Sequence, residues 1–404
     1  MKAFQKNSIL FLAGLIVIVA GSLAYLFLTG GTSPQPKVVA RSTPTPTPTT
    51  AVPVTPTPAL SPTPEQPCSS KQRSFQMGVA FPDWGTTAYG ESDTKWLTEL
   101  PDMQAQTAAC WVEMPVLLHQ SSLTSTTVTQ GPATSQLSSF DYGVRFAHSL
   151  GLHVFVTMQL QSAGSQPWSA LINFSTYAQE QQWFESYWQM VKSYAMVAEQ
   201  DGVEQLALGT EYRWLEQNAP ASLWNGLIDE LSNVFSGTLT YDMDWSALHD
   251  SPPSWMRNPH LKMIGISSYS PLVNTPVRVD PKQMSALWVQ VAQRDLDNFS
   301  KALGRPIFLS EVGFPNCQVA LYQPWNSYCT APPDPQEQAA ACNAALANII
   351  HDPRILGSFF WGWDNTEDFN LNVVQAASII RSHYQSLQGL VVSRKSDNVK
   401  KFQS

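Results

Sequence analysis

The sequence predicts an α/β protein built as a (β/α)8 TIM barrel. Three observations lead there. From residue 68 onward, eight short apolar runs alternate with helix-like stretches, which is the barrel count. Two of those runs end in a carboxylate, Leu206-Ala-Leu-Gly-Thr-Glu211 and Ile307-Phe-Leu-Ser-Glu311, and barrels carry their chemistry at the C-terminal ends of strands. The competing doubly wound sheet would need a phosphate-binding first turn, and no such loop is present.

The elements come in order along the chain. Residues 1–30 read as a membrane anchor or signal segment. Lys2 and Lys6 precede an uncharged apolar stretch over residues 9–29, long enough to span a bilayer as a single transmembrane helix. A cleaved signal peptide would use the small residues around Ser22 and Ala24, but apolar residues continue past them, so an uncleaved anchor is expected. Residues 31–67 form a Pro/Thr-rich linker with Thr43-Pro-Thr-Pro-Thr-Pro-Thr at its centre. Alternating prolines favour polyproline II at roughly 3.1 Å per residue, a stalk of up to about 100 Å. The catalytic domain is expected over residues 68–390, with a tail over 391–404. Its strands are predicted at 76–81, 109–114, 153–159, 204–211, 238–243, 263–269, 307–311 and 357–363. Its main helices are predicted at 140–150, 175–200, 222–235, 283–303, 335–350 and 373–387.

Composition narrows the function. A net charge of −8 without Lys/Arg-rich blocks argues against a nucleic-acid partner. There is no Walker loop, no dinucleotide fingerprint and no zinc-type His/Cys spacing, so neither a metal nor another cofactor is expected. Five cysteines in an exported domain permit disulfides. Cys317 could pair with Cys329 and Cys68 with Cys110, Cys342 could instead take Cys329, and one thiol must remain.

Two carboxylates facing one sugar are the minimum equipment of glycoside hydrolysis. Strand parity places Ile307, Leu309 and Glu311 on one face, Gly265, Ser267 and Tyr269 on another, and Phe359, Trp361 and Trp363 on a third. With the inward register taken from the strand-end motifs, which apolar content alone would not fix, Glu311, Tyr269 and one or both tryptophans converge in the barrel mouth.

The order Gly151-Leu-His-Val-Phe-Val, Trp168, Leu206-Ala-Leu-Gly-Thr-Glu211, Gly265-Ile-Ser-Ser-Tyr269-Ser-Pro-Leu, Leu309-Ser-Glu311-Val-Gly-Phe and Phe360-Trp-Gly-Trp363 resembles glycoside hydrolase family 113. The resemblance spans about residues 75–384. That family belongs to the large clan of retaining barrel glycosidases, and its known members are β-1,4-mannanases. It implies Glu211 as general acid/base, Glu311 as nucleophile and Tyr269 as a donor to the nucleophile. Retention needs the two carboxyls about 5–5.5 Å apart. Two positions depart from the clan's pattern. Thr210 stands where an asparagine that binds the sugar 2-hydroxyl is usual, and the third strand ends Met158-Gln-Leu-Gln161 instead of in a Lys- and His-bearing segment.

Tryptophan faces stack on pyranoses. Of the 14 tryptophans, Trp84, Trp168, Trp214, Trp245, Trp361 and Trp363 fall at or just past predicted strand ends. Trp361 or Trp363 is the expected platform under the reacting sugar. Asp83, Asp242, Asp244 and Asp364 could bind hydroxyls or cap the next helix. His119 and His249 read as polar loop residues. The expected partner is a poly- or oligosaccharide, and a monomer suffices for it. The expectation is a membrane-tethered extracellular endo-β-glycanase acting on β-1,4-mannan, with a glucan-, galactan- or xylan-active barrel of the same clan as the alternative. A carbohydrate-binding barrel without turnover is the reading from another class, and it has no need of an acid and a nucleophile.

Overall fold

A computed structural model of the protein describes residue 68 and residues 75–164, 168–363 and 368–401, with the side chains of 389–401 excepted. The expected anchor and linker lie outside the described residues. Among the described residues no helix is long and apolar enough to cross a membrane.

Eight parallel strands close into a barrel: β1 (Gln76–Ala80), β2 (Trp111–Gln120), β4 (His153–Ser162), β5 (Gln205–Thr210), β6 (Thr238–Asp244), β7 (Ile264–Ser268), β8 (Ile307–Val312) and β9 (Ile355–Phe360). Pairing of β1 with both β9 and β2 completes the ring. One further strand has no counterpart among the predicted ones: β3 (Val128–Gln130), which runs antiparallel to the far end of β2. Too short for a period-two pattern, it leaves no readable signal.

The helices are α1 (Thr94–Thr107), α2 (Leu137–Ser149), α3 (Tyr177–Gln200), α4 (Arg213–Asn218), α5 (Ala221–Ser232), α6 (Pro281–Trp288), α7 (Arg294–Leu303), α8 (Pro335–Ile349) and α9 (Val374–Lys401). Helix α1 is absent from the predicted set because Pro101 lies inside it. Its buried stripe of Trp96, Leu100, Met103 and Thr107 has helical spacing nonetheless, and Asp93 caps its start by accepting from Trp96 N–H at 3.2 Å. The predicted 283–303 helix is α6 and α7 joined through a π turn, Val289–Gln293. Helix α9 continues into the segment expected as a tail, which holds no proline to stop it.

Apolar residues divide into two cores. The large one lies between strands and helices, where Leu206, Leu208, Ile307 and Leu309 meet the helix-borne Trp183 and Trp224. The small one fills the barrel with Phe155, Ala207, Met263, Phe308 and Phe359. Phe155 lies 4.8 Å from Phe359 and 5.4 Å from Phe308 between ring centroids. The Phe359 ring takes the space a side chain at Gly78 would need: a Cβ there would come within 2.2 Å of it. Disulfides join Cys68 to Cys110 and Cys317 to Cys329, and Cys342 is a buried thiol.

These cores correct the expected parity. In β8 the inward residues are Phe308 and Ser310, while Ile307 and Leu309 face the helices. Glu311 still reaches the mouth because β8 carries an extra residue. Gly265 and Ser267 of β7 pair with Phe308 and Glu311, two steps against three. Strand β5 does the same before its glutamate, its Ala207 and Thr210 pairing with Thr240 and Asp242 of β6. A bulge adds a residue and re-aims the side chains beyond it. Both glutamates are set by such an insertion.

Candidate active site

Strand β4 shows how the barrel changes character along its axis. Phe155, Thr157 and Gln159 share its inner face. Phe155 belongs to the apolar interior, Thr157 donates to Glu113 Oε1 at 2.8 Å, and Gln159 Nε2 donates to Glu311 Oε1 at 3.2 Å. Apolar filling thus gives way to buried acids and then to the candidate site.

Glu311 is only 7% exposed. Besides Gln159, it accepts from the Tyr269 hydroxyl at Oε2, 2.9 Å away. Burial and the charges of Asp242, Glu113 and Glu211 push its pKa well above the carboxylate range, and the Tyr269 bond opposes them. Burial beside Glu311 raises the Tyr269 phenol in turn, which keeps its donor proton in place. Phe369 backs the Tyr269 ring at 5.7 Å. Sequence reasoning names Tyr269 but not Phe369.

Glu211 comes after the β5 bulge with φ 58°, a left-handed conformation unusual for a residue with a side chain. Its N–H donates to Asp242 O at 2.9 Å. Its Oε2 accepts from Trp168 Nε1 at 2.9 Å, so Trp168 belongs to the site by its indole N–H. Loss of water around it raises the Glu211 pKa to about 8, helped by the charges of Asp244 and Asp242 and opposed by bonds from Trp168 and Ser267. Glu211 therefore holds a proton at neutral pH.

Asp242 and Glu113 are fully buried beneath the two glutamates. Ser267 Oγ donates to Asp242 Oδ1 at 3.1 Å, and Ser310 donates to the same oxygen. Burial brings Asp242 to about 7 and Glu113 well above its usual range. So many carboxyls cannot all ionise together. Glu311, bonded by a phenol and an amide, has two donors that favour its anion. Glu113 is not singled out in the sequence, since it lies inside a strand and only the fold turns it inward.

The remaining expectations divide. Trp363 is fully buried and donates Nε1 to Glu99 Oε2 of α1 at 3.3 Å, so it packs against the outer wall instead of sharing, as expected, the face of Phe359 inside the barrel. Its N–H bonds Ala80 O of β1 at 2.8 Å. Trp361 is half-buried, directly after the end of β9. Trp245 is half-buried just past β6 and stacks on Trp325 at 5.3 Å. Trp84, 42% exposed, lies on the loop after β1 and makes no described contact with either glutamate. Thr210 is buried and its Oγ1 has no hydrogen-bond partner among the described residues. Asp244 caps a short turn by accepting from Ser246 N–H at 2.9 Å, and Asp83 lies 3.7 Å from Lys95 Nζ. Asp364 lies outside the described residues. His249 faces Asp295 at 3.5 Å, and His119 lies in β2 beside β3. Among the described residues no group of His, Cys, Asp and Glu could hold a metal ion.

Known proteins bear on this arrangement. Among solved structures, one of a β-1,4-mannanase of glycoside hydrolase family 113, in a complex, is 24% identical with TM-score 0.66 and covers 78% of this chain and 99% of its own. The family 113 β-mannanase of Alicyclobacillus acidocaldarius bound to ManMIm is 20% identical with TM-score 0.65, covering 79% and 100%. A family 5 mannosidase from Rhizomucor miehei shares 11% identity at TM-score 0.51, covering 78% of this chain and 94% of its own. No curated protein sequence matches the chain. The sequence model described as Glycoside Hydrolase Family 113 matches residues 79–378, a span that takes in the barrel and both strand-end glutamates. The chain belongs to glycoside hydrolase family 113, and it is a glycoside hydrolase.

Proposed function

We propose that this glycoside hydrolase is a retaining, endo-acting β-1,4-mannanase in which Glu211 is the general acid/base and Glu311 the nucleophile. The observation that carries the reading is the hydrogen-bonding of the two carboxyls. Burial raises both, but Glu311 accepts from the Tyr269 phenol and the Gln159 amide, donors that favour its anion, whereas Glu211 accepts from the Trp168 indole and is raised to about 8. Glu311 attacks the anomeric carbon while Glu211 gives its proton to the departing glycosidic oxygen. Formation of the glycosyl ester removes the negative charge of Glu311. The pKa of Glu211 then falls, and Glu211 takes a proton from the water that attacks the same carbon. Product leaves with its configuration retained. Mannan is favoured because the similar family 113 structures are those of β-mannanases.

The enzyme works outside the cytoplasm as a monomer, held to the cell membrane by residues 9–29 on the Pro/Thr-rich stalk. Two disulfides suit an oxidising compartment. The test is reducing-end release by the full chain on mannan, glucomannan, xylan, galactan and β-glucan, with Glu311→Ala in parallel. Mannan cleavage lost by orders of magnitude in Glu311→Ala is expected. Turnover that survives the substitution overturns the nucleophile assignment, and a preference for another polymer overturns mannan.

A further inference from the structure

Behind Glu211 lies a buried hydrogen-bonded chain that touches no solvent and has no part in the double displacement itself. The amide after the glutamate, Tyr212 N–H, donates to the Tyr241 hydroxyl oxygen at 2.8 Å. The Tyr241 hydroxyl donates in turn to Glu216 Oε1 at 2.8 Å. Glu216 is 1% exposed, on α4 a turn beyond Glu211, and its other oxygen has no partner among the described residues. Its backbone carbonyl accepts from Trp255 Nε1 at 3.1 Å. Burying a carboxyl this deeply is costly, and apolar packing alone would not require one.

We infer that Tyr241 and Glu216 are positioning residues for Glu211, a relay that fixes the left-handed backbone from which the acid/base carboxyl reaches the glycosidic oxygen. This rests on the reading of Glu211 as acid/base. A left-handed residue with a Cβ costs roughly 1–2 kcal/mol, so the flanking peptides must be held. Asp242 O holds the Glu211 amide, and the Tyr241 oxygen holds the next one. A phenol has one hydrogen and accepts through its lone pairs. Glu216 takes that hydrogen, so the lone pair stays turned toward Tyr212 N–H. Without Glu216 the hydroxyl is free to rotate, and the amide loses its fixed acceptor. Burial raises the Glu216 pKa to about 8, and the Tyr241 hydrogen bond opposes that rise.

A packing role would act on every substrate alike. A relay to the acid acts only where the leaving group needs a proton. The experiment measures kcat/KM, which reports glycosylation, on mannan and on 2,4-dinitrophenyl β-mannobioside, whose leaving group departs without acid help. Tyr241→Phe keeps the ring between Trp224 and Trp255, at 5.4 and 5.1 Å, and deletes only the hydroxyl. Glu216→Met deletes the acceptor, and Glu216→Gln retains a carbonyl there. The inference predicts that Tyr241→Phe and Glu216→Met each lose about ten-fold or more on mannan and stay within about two-fold of wild type on the aryl glycoside. Glu216→Gln is expected within about two-fold on both. Equal losses on both substrates, or none, overturn the relay. Glu211→Ala is the control: a loss of about 10²–10⁴-fold on mannan with the aryl substrate spared upholds the acid/base reading, and equal losses there overturn that reading instead. Should Tyr241→Phe fail to fold, the contrast between Glu216→Met and Glu216→Gln decides the matter.

Discussion

Glu211 and Glu311 are the same residue type, and their neighbours alone make them different. In the proposed mechanism Glu211, raised to about 8, must be protonated for glycosylation, so kcat/KM should fall as pH rises through about 8. Asp242, at about 7, is mostly charged in that range and helps hold Glu211 up. Asp242→Asn should therefore move the alkaline limb to lower pH. As the proposed nucleophile Glu311 must be ionised, so the acid limb is assigned to it, and Tyr269 opposes its upward shift. Tyr269→Phe removes a donor that favours the anion, so the acid limb should move to higher pH. A pH profile of kcat/KM for the wild type and both variants checks all three directions, and an acid limb unmoved in Tyr269→Phe would sink the assignment. Both glutamates are legible in the sequence because each ends an apolar run, and Tyr269 through its place between them in the family 113 motif order. Gln159 is not: it sits in an unfamiliar strand end, and only the inward parity of Phe155 and Thr157 shows where it points.

At the scale of elements, parity counted from sequence fails where a strand gains a residue. Nothing in Ile307-Phe-Leu-Ser-Glu311 announces a bulge, because an insertion is a relation between two strands and not a property of one. Helix α1 is hidden by Pro101, although its apolar stripe is in view. The end of β9 gives the sharpest contrast, since it sends one tryptophan to each environment. Trp363 is wedged against α1 through Glu99, so Trp363→Ala should cost about 3–5 kcal/mol of stability, seen as a lower unfolding midpoint in denaturant. Trp361 is half-buried at the mouth, and Trp361→Ala should leave that midpoint within about 1 kcal/mol while weakening activity on mannan about ten-fold or more. The reverse pattern would exchange the two roles.

At the largest scale the described strands form a closed ring, and a ring is only as firm as its closure. That closure is the short pairing of β1 with β2 and β9. The Cys68–Cys110 bridge ties the chain just ahead of β1 to the residue just ahead of β2, across a sequence separation of 42. The Cys317–Cys329 bridge, with a separation of 12, lies wholly within the loop after β8. Both pairs are among the sequence's open alternatives, and spacing alone does not choose between them because the fold decides which thiols meet. Longer closed loops remove more freedom from the unfolded chain: about 4 kcal/mol for the first bridge against about 3 for the second. The difference in position should matter more than that difference in length. Cys68→Ser frees the strand that closes the barrel and should lower Tm by about 5 °C while leaving the substrate-side loop unchanged. Cys317→Ser loosens a loop just beyond Glu311 and should act on KM at least as much as on Tm. Differential scanning calorimetry on both variants, paired with mannan kinetics, separates the two roles. Equal effects on Tm and none on KM would mean that both bridges serve only stability.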